Sequence, residues 1–162
     1  MSPAPLWKGP RGEWYLVVQA FLFTLLIFGP HSCCGMPAWG GSYGVMASWG
    51  GAILFGAGTL LAAVGVWNLG RNLTPLPCPK EHAQLIVSGA YRIVRHPIYS
   101  GILFMAFGWG LWLNSWLTVG YALLLFAFFD IKSRYEERLL VEKFKEYTSY
   151  RMRVRKLIPF IY

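Results

Sequence analysis

The residues best suited to chemistry fall in two short segments far apart in the chain. One is Arg95-His96-Pro97-Ile98-Tyr99-Ser100-Gly101; the other holds Lys132, Arg134, Glu136 and Glu137. Together they offer cations, adjacent carboxylates, an imidazole and a phenol. Pro97 suits the first turn of a helix, where its missing N–H would have no partner anyway. Arg95 and His96 then stand at a helix N-terminus, where free N–H groups and the helix dipole add to their pull on an anion. The plainer reading of these two residues is anchoring at a membrane edge. If the chain between the segments makes a helical hairpin, its two ends are neighbours and all these groups converge. Such a cluster could hold a zwitterionic cofactor while a lipophilic substrate enters from the bilayer.

The elements that must position these residues are apolar. Hydrophobic residues make up 56% of the 162, yet Lys and Arg outnumber Asp and Glu by 15 to 7, for a formal charge of +8. The charge is confined to patches between long apolar runs, which excludes an ordinary soluble domain. The expected fold is all-α and polytopic, a single domain over residues 1–162. Four transmembrane helices are expected at 14–29, 44–70, 97–113 and 116–131, the last two reversing at Asn114 and Ser115. Several of these are short against the roughly 20 residues that cross a core of about 30 Å. Prolines 75, 77 and 79 exclude a regular helix from part of the loop 71–96. In the tail 132–162, Leu140, Phe144 and Tyr147 recur at helical spacing, which predicts an amphipathic cytosolic helix continuing from the fourth span.

Positive charge predicts the orientation. Lys8 and Arg11 precede the first span, Arg71, Lys80, Arg92 and Arg95 follow the second, and the tail is dense in Lys and Arg. The two remaining connections have none. This alternation fits four crossings with both termini cytoplasmic. The expected setting is a bacterial inner membrane. A signal peptide is the alternative for the first apolar run, but no small-residue cleavage site follows it. Ala47, Gly51, Ala52, Gly56, Gly58 and Gly65 make the second span rich in small residues, which let helix backbones approach closely. Gly56-Ala57-Gly58 lies inside an apolar span with no strand before it, so it is not a nucleotide loop.

The segment from Gly70 to Gly101, with its RHPxYxG run, and the tail with Glu136-Glu137, Phe144, Tyr147, Tyr150, Val154 and Pro159 resemble the isoprenylcysteine carboxyl methyltransferase family and the related phospholipid methyltransferases. The resemblance covers residues 70–159. It implies a polytopic membrane enzyme that uses S-adenosylmethionine bound at the cytosolic face. It implies that His96 and Tyr99 contact the cofactor, with His82, Gly89, Tyr91 and Arg95 in support, and that Glu136 or Glu137 helps hold it. It places Lys132, with Arg134 two residues on, where eukaryotic members carry an arginine associated with the substrate carboxylate. With Glu136, these form the expected catalytic group. A lysine lacks the planar bidentate grip of an arginine. The implied partners are a lipophilic small molecule and membrane lipid, with no nucleic acid. Aromatic faces such as Tyr99 or Trp109 would favour a sulfonium.

Two other readings follow from other residues. His31, Cys33, Cys34 and Met36 offer soft donors within six residues, a set suited to Cu(I) in a metal-binding membrane protein. An NADPH-dependent membrane reductase is the third reading, since sterol reductases resemble this group in their C-terminal region. No metal is expected at the RHPxYxG site itself.

Overall fold

The structure is a computed structural model and describes residues 12–32, 39–79 and 82–162. Its helices are α1 (Trp14–Phe28), α2 (Gly41–Leu69), α3 (Pro97–Trp112), α4 (Trp116–Lys143) and α5 (Tyr147–Arg153). Short 3₁₀ turns cover Gly70–Asn72 and Gly89–Arg92. No strand is present among the described residues; one isolated parallel bridge joins Val94 to Arg155. The expected all-helical class is therefore observed.

Two helices, α2 and α4, are long and apolar enough to cross a membrane. Helices α1 and α3 are apolar but have 15 and 16 residues, about 22–24 Å at the α-helical rise. Helix α3 packs between α2 and α4, and α1 lies on the other side of α4.

Helix α2 turns its side chains outward and its backbone inward. Its buried residues are Gly44, Gly51, Gly58 and Gly65, spaced by seven, or two helical turns. Gly51, Gly58 and Gly65 form one stripe against α3, and Gly44 continues it against Trp39 and Asn114. A Cβ on Gly51 would lie 2.5 Å from the Gly108 carbonyl, and one on Gly58 would lie 2.5 Å from that of Gly101. The helices run antiparallel, backbone against backbone, as small residues permit in lipid. Gly56 is not part of this seam, since nothing lies within 4 Å of its missing Cβ. Meanwhile Tyr43, Met46, Trp49, Ile53, Leu60 and Trp67 point outward and exposed, a surface that lipid solvates and water does not.

The hairpin between α3 and α4 has clear local causes. Asn114 takes a positive φ of 52°, which asparagine tolerates better than most residues. Ser115 caps α4 by accepting a hydrogen bond from the Thr118 N–H at 3.0 Å. At the other end Pro97 opens α3 as expected. The core lies between α3 and α4, on Leu103, Ala106, Ala122, Leu125 and Phe129, with Leu157 from the tail.

The tail departs from expectation. Helix α4 runs through Asp130 to Lys143 and then stops, because Phe144 is extended at φ −124°, ψ 110°. Leu140, Phe144 and Tyr147 thus do not share one continuous helix. The chain folds back through α5 and lays residues 155 and 156 beside the RHPxYxG segment. There the Arg95 N–H donates to the Arg155 carbonyl at 2.7 Å and the His96 N–H to that of Lys156 at 3.2 Å.

Candidate active site

The hairpin brings the two polar segments together. Arg95 Nε donates to Glu137 Oε1 at 2.8 Å and Nη2 to Oε2 at 3.3 Å. His96 Nε2 lies 3.1 Å from Glu137 Oε1, and its Nδ1 lies 3.6 Å from Glu136 Oε2. The Tyr99 hydroxyl donates to Glu136 Oε1 at 2.5 Å. The rings of His96, Tyr99 and Phe129 stack nearly parallel, with centroids 5.6 and 4.4 Å apart. Lys132 Nζ stands 5.2 Å above the Tyr99 ring.

The two neighbouring glutamates have different surroundings. Glu137 is buried, engaged by Arg95 and His96, with Arg151 Nε at 3.4 Å. Arg95 also donates through Nη1 to the carbonyls of Arg151 and Val154. Arg95 and Glu137 therefore tie the tail to the start of α3, and the expected attraction of Arg95 for an anion is spent on Glu137. Glu136 instead lines a cavity of about 360 Å³, within the usual range for small-molecule sites.

Its lining combines aromatic side chains, Tyr91, Tyr99, Phe144, Tyr147 and Tyr150, with aliphatic ones that include Leu69, Leu73, Ile98 and Ile102. Tyr91, Tyr147 and Tyr150 are buried. Burial raises the pKa of all three phenols; neighbouring charges on Glu136 for Tyr91 and on Glu137 for Tyr147 and Tyr150 push the same way. They are neutral hydroxyls, not bases. The Tyr150 hydroxyl donates to the Tyr91 carbonyl at 2.5 Å, so α5 holds the 3₁₀ turn that presents Tyr91.

Lys132 is 1% exposed. Its ammonium donates to Gln19 Oε1 at 2.7 Å and to the Pro75 carbonyl at 3.3 Å. An ammonium has three donors, which leaves one for the cavity that Lys132, Gln19 and Pro75 all line.

Other expected residues stand apart. Arg134 is exposed and pairs with Asp130 at 2.7 Å, one turn back on α4; its side chain projects away from the cavity, because two residues along a helix is a rotation of about 200°. His82 is exposed and outside the lining. Gly89 shapes the backbone: its φ is +61° and a Cβ there would strike the Asn68 side chain, whose Oδ1 accepts from the Ala90 N–H at 2.8 Å. Trp109 packs on Phe55 and Trp112, not at the cavity. Cys33, Cys34 and Met36 of the soft-donor set lie outside the described residues; His31 Nδ1 lies 3.1 Å from Thr118 Oγ1.

Sequence reasoning missed Gln19 and the network of Asp130, Lys156 and Tyr162. Lys156 Nζ lies 2.5 Å from Asp130 Oδ1, and the Tyr162 hydroxyl donates to the same oxygen at 2.8 Å. A lone polar Gln19 inside an apolar helix was the available signal for the first. The second joins residues 26 and 32 positions apart and leaves no periodic trace.

A family model described as phospholipid methyltransferase matches residues 46–147. The probable protein-S-isoprenylcysteine O-methyltransferase of Oryza sativa subsp. indica is 35% identical over 119 residues, 70% of this chain and 62% of that protein. Protein-S-isoprenylcysteine O-methyltransferase B of Arabidopsis thaliana is 33% identical over 108 residues, 64% of this chain and 55% of that protein. The chain thus spans between about half and three fifths of these relatives' lengths. A solved structure of the eukaryotic intramembrane Ras methyltransferase ICMT superposes with a TM-score of 0.66 over 94% of this chain and 53% of that one, at 24% identity. That likeness establishes a shared fold. These relatives are eukaryotic or described as such, so they lend no support to a bacterial inner membrane, and none is a reductase.

Proposed function

The chain belongs to the phospholipid methyltransferase family, and on that premise we propose that it is a membrane enzyme transferring a methyl group from S-adenosylmethionine to an anionic, lipophilic acceptor. The observation that carries this reading is the cavity lined by Lys132 and Glu136, one turn apart on α4, together with aromatic and aliphatic side chains. We read residues 1–162 as one domain with four crossings and both termini cytoplasmic. The apolar character of α1 and α3 supports the crossings, and the alternating charge supports the orientation.

The residues present fit the cofactor. It carries a sulfonium and an ammonium. Glu136 presents a carboxylate held at one oxygen by Tyr99, with lone pairs left for a cation. Faces of Tyr91, Tyr147 and Tyr150 can stack on a base or attract a sulfonium, whereas the Tyr99 ring is already stacked with His96 and Phe129 beneath Lys132. When bound, the cofactor supplies an electrophilic methyl group.

The chain's own work is positioning. His96 holds Glu136 and Glu137 in register by contacting both. Lys132 offers its remaining N–H to an acceptor anion. Leu69, Leu73, Ile98 and Ile102 would take the acceptor's hydrocarbon part. A carboxylate or thiolate acceptor needs no base at attack, which agrees with a lining of neutral phenols. Holding the reactants in line is then the main contribution. A cation at Lys132 disfavours a lipid amine, which must first lose its proton and then becomes a cation on methylation beside the lysine in a site of low dielectric.

The test is transfer of labelled methyl to a matched acceptor series. A prenylated cysteine or lipophilic thiol should accept, and a phosphatidylethanolamine should not. Lys132→Met should raise the acceptor KM while leaving the cofactor KM within about twofold, as expected for loss of a contact to the acceptor alone. Transfer to the amine lipid alone would overturn the anionic acceptor.

A further inference from the structure

Behind the Arg95–Glu137 pair lies a second cavity of about 480 Å³, and its lining is unlike the first. Six cationic side chains line it, Arg95, Arg134, Arg138, Arg151, Arg155 and Lys156, with Glu137 the one carboxylate among them. Glu137 is already engaged by Arg95 and His96, and Asp130 nearby by Lys156 and Arg134. Arg138 and Arg155 form no ion pair among the described residues. Arg134 and Arg138 are one turn apart on α4 and present one face; Arg155 comes from the tail bridged to Val94. The fold therefore gathers guanidinium groups from the start of α3, from α4, from α5 and from the tail around a hollow, and leaves Arg138 and Arg155 without an ion pair among the described residues. Guanidinium groups match phosphate oxygens in fork geometry.

We propose that this basic hollow holds the phosphodiester headgroup of an anionic phospholipid from the adjoining leaflet. A lipid is favoured over free phosphate by the apolar groups beside the arginines. Val154 and Ile161 are part of the lining, Ile161 at 74% exposed; Met152 and Phe160, next in sequence to Arg151 and Ile161 but outside the lining, are 79% and 82% exposed. Large apolar side chains bared beside cations suit the boundary between headgroups and acyl chains. The hollow also lies beside the stretch of α4 that follows its apolar part, from Arg134 to Arg138. The site is separate from the methyl-transfer cavity and holds whether or not that reading does.

Purified protein in nanodiscs of phosphatidylcholine, with and without phosphatidylglycerol, would be released and examined by native mass spectrometry for retained lipid. Each cation at an anionic surface contributes about fivefold. Phosphatidylglycerol should therefore be retained over phosphatidylcholine, and Arg138→Gln with Arg155→Gln should cut that preference roughly 10- to 30-fold. Thermal midpoints measured in parallel establish that the variant is folded. A third arm adds soluble glycerol phosphate. Equal retention of both lipids, or a preference untouched in a folded double variant, would overturn the proposal. Displacement of phosphatidylglycerol by an equal concentration of glycerol phosphate would point to a free phosphate instead and overturn the lipid assignment.

Discussion

Arg95 and Glu137 form a two-point pair, with Nε–Oε1 at 2.8 Å and Nη2–Oε2 at 3.3 Å, across 42 positions of sequence. The pair stands between the two cavities and joins three elements: the start of α3, the C-terminal part of α4 and the chain from α5 into the tail. It divides adjacent glutamates into a structural one and a cavity-facing one.

Removing one partner should therefore cost stability. The side chains are 9% and 4% exposed, so the Glu137 charge would stay buried with only His96 and the longer Arg151 contact beside it. Arg95→Leu should destabilise the protein by about 3–5 kcal/mol, seen as a lower denaturation midpoint in detergent. Arg95→Lys should fall between, since it keeps the charge and loses the second contact.

The α2–α3 seam predicts opposite signs for one substitution at two places on one helix. Gly58→Ala puts a methyl 2.5 Å from the Gly101 carbonyl and 2.8 Å from the Met105 nitrogen. Backbone cannot yield as a side chain does, so a cost of about 1–3 kcal/mol is expected. Gly56→Ala meets nothing within 4 Å and should gain up to about 1 kcal/mol from helix propensity. Denaturant titrations of the two variants, side by side, check the pair.

The buried phenols give a pH dependence. Tyr91, Tyr147 and Tyr150 have raised pKa values, chiefly through burial. The unfolded chain gives up these protons first, near pH 10, so above that pH it binds fewer protons than the folded chain. Stability is then full below about pH 10 and falls as pH rises toward the folded values. Tyr150→Phe should flatten that fall, at the expense of the bond to the Tyr91 carbonyl and about 1–3 kcal/mol throughout. Thermal midpoints from pH 8 to 11 would read both.

The parts legible in the sequence are those with local or periodic causes. Pro97 marks the start of α3, Asn114 and Ser115 the reversal, and the apolar runs the helices. The convergence of Arg95, His96 and Tyr99 with Lys132, Glu136 and Glu137 follows from the hairpin alone. The glycine seam was visible as small residues, but which of them form it was not: the structure selects glycines seven apart, along which α2 and α3 stay in contact. The break at Phe144 was hidden, since Leu140, Phe144 and Tyr147 keep helical spacing across it. The parting of Glu136 from Glu137 needed coordinates. Neighbours on a helix point about 100° apart, and only the positions of Arg95 and the tail decide which one faces the cavity. Gln19 meets Lys132 across 113 positions, a distance no local pattern spans.

The most direct measurement is a titration of purified protein with S-adenosylmethionine, wild type against Glu136→Gln. The variant keeps the shape of the side chain and an acceptor for Tyr99, and Glu137 still holds the fold. Wild type should bind saturably. Glu136→Gln should weaken binding by about 10- to 100-fold, the worth of a hydrogen bond to a charged group, at an unchanged thermal midpoint. Equal binding by both proteins would contradict the assignment of the cavity, and no binding by the wild type would contradict the enzyme itself.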